Sequence, residues 1–516
     1  MAAPSNEPVV QEKTEEKQVE YREEEAGVVD DSEFHFSARS PEERRKIERR
    51  VVRKLDLRLL PILIIMYFFN FVDRSNLANA RLGGLEKDLK MTGTDFNLAT
   101  SILFIGYIIM QLPSNLLITM IRPSIYLGCV MTVWGLITTL TSQADTFKHL
   151  LVIRFFLGVI EAPFFPSAMF VMSSWYTRAE LGQRYAFFYA GSALANMFNG
   201  LMSAGILSGL DGARGIAGWR WLFIIQGSLT IFFAMLSAAL LPDYPRTTRW
   251  LSREEQAFAE WRLAQDVAGA VDSADAVPLL TALRMALTDY RAYLFVVMQH
   301  CNLLSQAFTY FFPTIVGSLG YNSTQTLLLT APPWFAAFLA SVFVTWHAAR
   351  TNVRSVHIVV CMLLVVIGNI VMITTPISSV GPRYFAMFLL TCGALPAFQV
   401  ILTWISNSFP RPFAKRSAVI ALVNMLGNIA STYGSFLYPA SEGPRYVKGG
   451  AVMAAVAVAC AGMAVVIRVV LARENGRLER MERGERGEKG ERGEEEVGLE
   501  ANVAGVRQVN GFRFIL

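Results

Sequence analysis

Residues 150–168 read LLVIRFFLGVIEAPFFPSA, and the fold turns on how this stretch is understood. It is long and apolar, as a membrane span must be, yet it carries Arg154 and Glu161. The two are separated by two helical turns, so at about 100° per residue both project from nearly the same face. Gly158 lies between them on that face and permits close approach of a neighbouring backbone. A charge inside a bilayer costs roughly 2.5–3.5 kcal/mol on insertion scales. Such residues therefore ordinarily face a bundle interior or a wet cavity and serve transport. The alternative is a buried ion pair that locks two helices together.

Outward from this stretch, the whole chain is apolar. Of its 516 residues 53% are hydrophobic, more than a soluble globule uses. The charged residues lie mostly in two tails and one central loop, so the formal net charge of +5 speaks to topology and gives no sign of nucleic acid binding. Cys129, Cys301, Cys361, Cys392 and Cys460 stand singly in apolar segments without CxxC spacing. They read as free thiols, and no metal or cofactor is expected. No clustered metal motif or nucleophile elbow appears, which argues against a membrane enzyme.

Twelve apolar stretches follow in order, near 57–78, 96–120, 124–141, 149–172, 184–206 and 219–241, then 292–316, 324–348, 355–375, 383–407, 417–438 and 451–471. Each is long enough to cross about 30 Å of hydrocarbon. The expected architecture is an all-α membrane protein of twelve transmembrane helices in two six-helix bundles, 55–241 and 291–471. Residues 1–54 and 472–516 are expected to be disordered cytoplasmic tails, and 242–290 a central cytoplasmic loop. Within these segments, 40–58 has the pattern of a basic amphipathic helix, and Ser252 with Glu255 that of a capping box. Basic residues such as Arg122, Arg178, Arg350, Arg354 and Lys415 favour the loops on the side of both termini, which supports both termini inside; a multi-pass protein of the plasma membrane is expected. A monomer is expected.

Polar groups recur within the spans. The first ends NFVDRSNLANA, so Asp73 and Arg74 lie about 21 Å along its axis, still within hydrocarbon depth. Adjacent residues diverge by about 100°, so the two cannot face one partner; snorkelling of both to the interface is the alternative. Tyr107 and Gln111 share a stripe in the second span, and Asn196 and Asn199 follow a 3–4 spacing in the fifth. Gln299 and Gln306 fall in the seventh, Gln399 in the tenth, and Asn424 and Asn428 in the eleventh. Any single stripe is as well explained by interhelical hydrogen bonding. Stripes in corresponding spans of both halves argue for a shared polar cavity, and these residues are the candidates to line it. Glu161 sits among Phe156, Ile160, Phe164 and Phe165, where burial and the nearby Arg154 act in opposite senses on its proton affinity.

Five motifs carry a resemblance: FVDRSNLANA, GYIIMQLPSNLL, RFFLGVIEAPFFPSA, GWRWLFIIQG and LPDYPRTTRWLSREE. Together they resemble the major facilitator superfamily, and within it the anion:cation symporter branch that includes fungal allantoate and nicotinate permeases. The likeness runs over about 55–471 and is strongest in the first half. It implies alternating access, with a small organic anion and protons as the transported partners and no covalent chemistry. By resemblance Arg74 contacts the anion, Asp73 and Glu161 carry protons, Arg154 tunes Glu161, and Tyr107 lines the cavity. An exporter of a secondary metabolite and a sensor that binds without transporting are the alternatives. Two departures stand out. The loop between spans two and three, LLITMIRPSIY, lacks the family's aspartate, and WHAARTNVRS after span eight has alanines beside Arg350 where relatives carry an acid.

Overall fold

The computed structural model describes residues 34–117, 121–248, 250–268, 279–409, 413–443, 445–491 and 514–515. Among these every regular element is helical, as a lipid solvent requires, because a helix satisfies its own backbone hydrogen bonds. The first half comprises α1 (Pro41–Leu82), α2 (Asp95–Leu117), α3 (Pro123–Leu140), α4 (Phe147–Glu161), α5 (Phe164–Ser173), α6 (Arg178–Gly209) and α7 (Gly218–Leu240). Two helices, α8 (Arg253–Ala268) and α9 (Leu279–Thr288), lie between the halves. The second half comprises α10 (Tyr290–Ser305), α11 (Phe312–Gly317), α12 (Ser323–Thr351), α13 (Arg354–Thr374), α14 (Val380–Ser408), α15 (Phe413–Gly434) and α16 (Val447–Glu491).

Among the described residues nine helices are long and apolar enough to cross a membrane. The other three expected spans have identifiable reasons for failing that measure. The apolar helix at α2 is short over its described part, α6 carries a polar stripe, and α10 and α11 are separated by a 3-10 turn over Ala307–Phe311. Large exposed apolar side chains such as Val152, Phe156, Phe232, Phe343, Val360, Phe385 and Val458 face outward around both halves, the surface that lipid would cover.

Small residues set the closest crossings. A Cβ added to Gly158 of α4 would lie inside contact distance of the Leu103 carbonyl of α2, and one added to Gly106 of α2 would strike the Phe155 carbonyl of α4. The close approach anticipated at Gly158 is therefore present, and it is reciprocal. Gly227 of α7 and Gly135 of α3 make a second such crossing. Between the halves, α6 packs on α12 and α2 on α15.

The tails and the loop contain more structure than their composition suggests. Residues 1–33 and 492–513 lie outside the described residues, while 34–54 pack on the first half and lead into α1, where the basic pattern of 40–58 predicts a helix. Ser40 and Glu43 form a capping box that opens α1, and α1 continues unbroken into the first span. Phe36 is buried edge-on to Phe258 and beside Trp261 of α8, Arg39 pairs with Glu254, and Lys54 pairs with Glu255 at 2.6 Å. Burial of one aromatic ring plus complementary charge supplies the order that residue counting missed. The far segment differs likewise: α16 runs on to Glu491, and Phe514 and Ile515 pack against the second half. Of the central loop, α8 docks on the first half and α9 packs on α15 of the second; 269–278 lie outside the described residues.

A repeat is visible on the side of the bundles where α1 begins. Asp56, ahead of the first span, accepts Arg184 of α6 at 2.9 Å and the Tyr176 hydroxyl at 3.0 Å. Asp289, ahead of α10, accepts Arg291 at 2.7 Å and Lys415 of α15 at 2.8 Å. Each half thus uses an aspartate before its first span to clamp the start of its fifth. Burial pushes the Asp289 carboxyl up, but hydrogen bonds from Arg291 and Lys415 outweigh it and hold it down at about 2.

Candidate functional site

Helices α4 and α5 follow one another within a single apolar span over Phe147–Ser173. Ala162 and Pro163 between them keep right-handed helical dihedrals, and Pro163, lacking a backbone N–H, cannot donate to the helical ladder there. Glu161 is fully buried, and its Oε2 accepts Arg74 Nε from α1 at 2.6 Å. The Arg74 guanidinium lies 4.8 Å from the centre of the Tyr107 ring of α2, and its side chain stays 17% exposed. Arg74 is the accessible member of the group, stacked on one side and ion-paired on another.

Asp73 points away from this pair, as the 100° divergence requires. It is fully buried, and its Oδ2 accepts Trp134 Nε1 of α3 at 3.0 Å and Thr230 Oγ1 of α7 at 2.9 Å. Its Oδ1 has no partner among the described residues. Snorkelling of Asp73 and Arg74 to an interface is not what the structure has.

Arg154 and Glu161 both face the bundle interior, while Val152 and Phe156 on the same helix are more than half exposed. The ion-pair partner of Glu161 is Arg74. Arg154 Nε instead donates to the Ala99 carbonyl of α2 at 3.4 Å. Helical side chains lean toward the N-terminus, so Arg154 reaches back a turn, away from Glu161.

The neutral candidates divide. Asn199 is held within the first half: its Nδ2 donates to Ser75 at 2.6 Å, and its Oδ1 accepts Gln226 at 2.8 Å and Ser203 at 3.2 Å. It ties α1, α6 and α7 inside the first half. Gln399 is likewise internal to the second half, buried and accepting Thr345 at 3.0 Å. Gln299 is buried against Gly427 of α15. Gln111 is also buried. Asn196 is half-buried and donates to the Ser192 carbonyl of its own helix. Gln306, at the break after α10, donates to Asn302 at 2.8 Å. Asn428 donates to the backbone and side chain of Asn424. Counted from the two clamping aspartates, Gln306 occupies the place of Asp73, so the second half repeats the clamp with a neutral residue at the charged position.

Aromatic rings connect the halves around Arg74. Tyr310 of the second half packs edge-on to Phe104 of α2 at 5.4 Å and stands within electrostatic reach of Arg74 and Arg154. Tyr189 of α6 meets Phe398 of α14 at 5.7 Å. On the side away from the start of α1, Asn97 donates to the Ser435 and Tyr438 carbonyls, the Ser101 and Ser435 hydroxyls share a 2.6 Å hydrogen bond, and Phe96 packs on Phe311. Sequence reasoning missed Trp134 and Thr230. Trp134 carried a usable signal, since an indole N–H in an apolar span needs an acceptor. It also missed Asp243, whose Oδ1 accepts the Ser124 N–H at 2.9 Å. An acid from beyond α7 thus sits at the α3 N-terminus, beside the loop that lacks its own.

Two helical halves packed on one another, the first holding a buried charge cluster in its apolar interior, are the architecture of a membrane transporter. Residues 63–435 match the family model described as Major Facilitator Superfamily, and the chain belongs to that superfamily. It is 35% identical over 412 residues to the MFS-type transporter cnsO of Penicillium expansum, covering 78% of this chain and 79% of that one. It is 32% identical over 406 residues to the major facilitator-type transporter hxnP of Emericella nidulans, covering 78% and 81%. Solved structures show the same fold. A bacterial homologue of the human lysosomal transporter Spinster, inward-facing and unoccupied, aligns with a TM-score of 0.60 at 15% identity over 83% of this chain and 98% of that one. A D-xylose–proton symporter aligns at 0.59 and 12% identity, over 78% and 96%.

Proposed function

We propose that the chain is a proton-coupled symporter of a small organic anion, of the anion:cation symporter branch, working by alternating access in the plasma membrane with both termini cytoplasmic. The observation that carries this reading is the 2.6 Å contact between Arg74 and Glu161. With Glu161 ionised, the carboxylate that Arg74 holds is the protein's own. A proton on Glu161 removes that competitor and frees the guanidinium, already stacked on Tyr107, to grip an incoming carboxylate with its remaining N–H groups. Anion and proton then enter as one neutral change in charge. The loaded site no longer opposes passage of the bundles through an occluded state, where an unpaired charge is costly. Asp73, held by Trp134 and Thr230, is a second proton site in this reading, and Arg154 keeps the local field positive. Contacts of Asn97, Ser101 and Phe96 with the second half support a conformation closed on the outer side.

The test is uptake. A panel of labelled small organic anions is offered at pH 5.5 and 7.5 to a host lacking its own carriers. Accumulation that rises with external acidity, and vanishes in Arg74→Ala at equal surface expression, supports the reading. Accumulation of cations or neutral solutes only, or export without acid-driven uptake, refutes it.

A further inference from the structure

We propose that Arg291, Trp404 and Asn475 form a receptor for the chain's own Phe514–Ile515 segment, which clips three helices of the second half together on the side where α1 begins. Asn475 of α16 pairs with the Phe514 backbone in both directions: its Nδ2 donates to the carbonyl at 3.0 Å, and its Oδ1 accepts the N–H at 2.8 Å. This is the hydrogen bonding a neighbouring strand would supply, offered by one side chain. Trp404, near the end of α14, is fully buried, and its Nε1 donates to the Ile515 carbonyl at 2.8 Å. Without the segment that buried donor loses the acceptor it has here, which a buried indole tolerates poorly. Arg291, at the start of α10, holds its guanidinium 5.3 Å from the Phe514 ring centre and 5.5 Å from that of Phe409, while still paired with Asp289.

The three contacts read different features. Asn475 and Trp404 read backbone, and Arg291 selects an aromatic ring. Together they tie α10, α14 and α16, and Arg291 links them to Asp289, which pairs with Lys415 of α15. The segment therefore adjoins the charge clamp of the second half through Arg291, a feature with no part in the anion site.

The test uses the full chain in lipid nanodiscs with the photo-reactive aromatic benzoylphenylalanine at position 514. Irradiation is expected to yield a crosslink within one chain, mapping by mass spectrometry to α10, α14 or α16 near Arg291, Trp404 or Asn475. Asn475→Ala in the same background removes two hydrogen bonds and should lower that yield roughly tenfold or more. Trp404→Phe keeps the ring packing on Phe295 and should lower it less. Both variants are required to elute as monodisperse folded protein with wild-type uptake affinity, which separates loss of the clip from loss of fold. Crosslinks that map elsewhere, that join two chains, or that are unchanged by Asn475→Ala overturn the proposal.

Discussion

Replacing Glu161 by Gln removes the charge that competes for Arg74 while keeping size and hydrogen-bonding shape. The Arg74–Glu161 contact is 2.6 Å between nitrogen and oxygen, so the charge centres lie about 4 Å apart. At an effective dielectric near 20 that attraction is about 4 kcal/mol. An incoming carboxylate gains a similar amount only after Glu161 gives it up, so with Glu161 ionised the exchange is close to neutral in energy. Removing the competitor should tighten anion binding, with a ceiling of roughly a thousandfold at 1.4 kcal/mol per decade. Desolvation of the incoming anion brings the expected gain to about ten- to a hundredfold. Binding measured on purified protein between pH 5.5 and 8 should weaken with rising pH in the wild type and be tight and flat in Glu161→Gln. In proteoliposomes the variant should lose proton-driven accumulation and keep exchange of labelled for unlabelled anion. Glu161→Asp should retain part of the coupling. If Glu161→Gln binds more weakly than wild type, or keeps the wild-type pH profile, the competition argument fails and Asp73 becomes the proton site to pursue.

Arg74→Lys keeps the charge but loses the planar fork and its stacking on Tyr107, so affinity should fall at least about tenfold with surface expression near normal; unchanged affinity removes Arg74 from the binding site. Gly158→Ala forces a Cβ against the Leu103 backbone and should cost about 1–3 kcal/mol, seen as a lower unfolding temperature, whereas Gly205→Ala meets nothing within 4 Å and should stay within about 0.5 kcal/mol. Equal behaviour of the two glycine variants contradicts the α2–α4 crossing. Asp289 is held down at about 2, so the stability it contributes is complete above its unfolded value near 3.9 and is lost only as pH falls toward 2. Asp289→Asn should therefore destabilise equally at pH 5 and pH 8, and a penalty that changes across that window counts against the clamp.

The helical class, the order of the spans and the division into halves were legible because a bilayer leaves so few solutions: runs of apolar residues about twenty long can only be helices. The inward placement of Arg154 and Glu161 was legible for the same reason, since a charged face cannot be turned to lipid, and helical periodicity identifies which face that is. Pairing was not legible. Asp73 and Arg74 were seen to diverge, but nothing in their spacing says that Trp134 and Thr230 wait on one side and Glu161 and Tyr107 on the other, because those partners come from four other helices. Asn199 and Gln399 resembled the cavity candidates in spacing, and they differ only in whether a neighbouring helix supplies partners.

The ordered stretch around Phe36, the Asp243 cap and the seat of Phe514 belong to the same category, for each depends on a surface assembled from distant segments. The sequence by itself determined which faces must be hidden from lipid, because the transfer cost of each residue is local. Only the tertiary structure decided which buried groups meet, because hydrogen bonds and ion pairs act over about 3 Å between atoms that the chain brings together from tens to hundreds of residues apart.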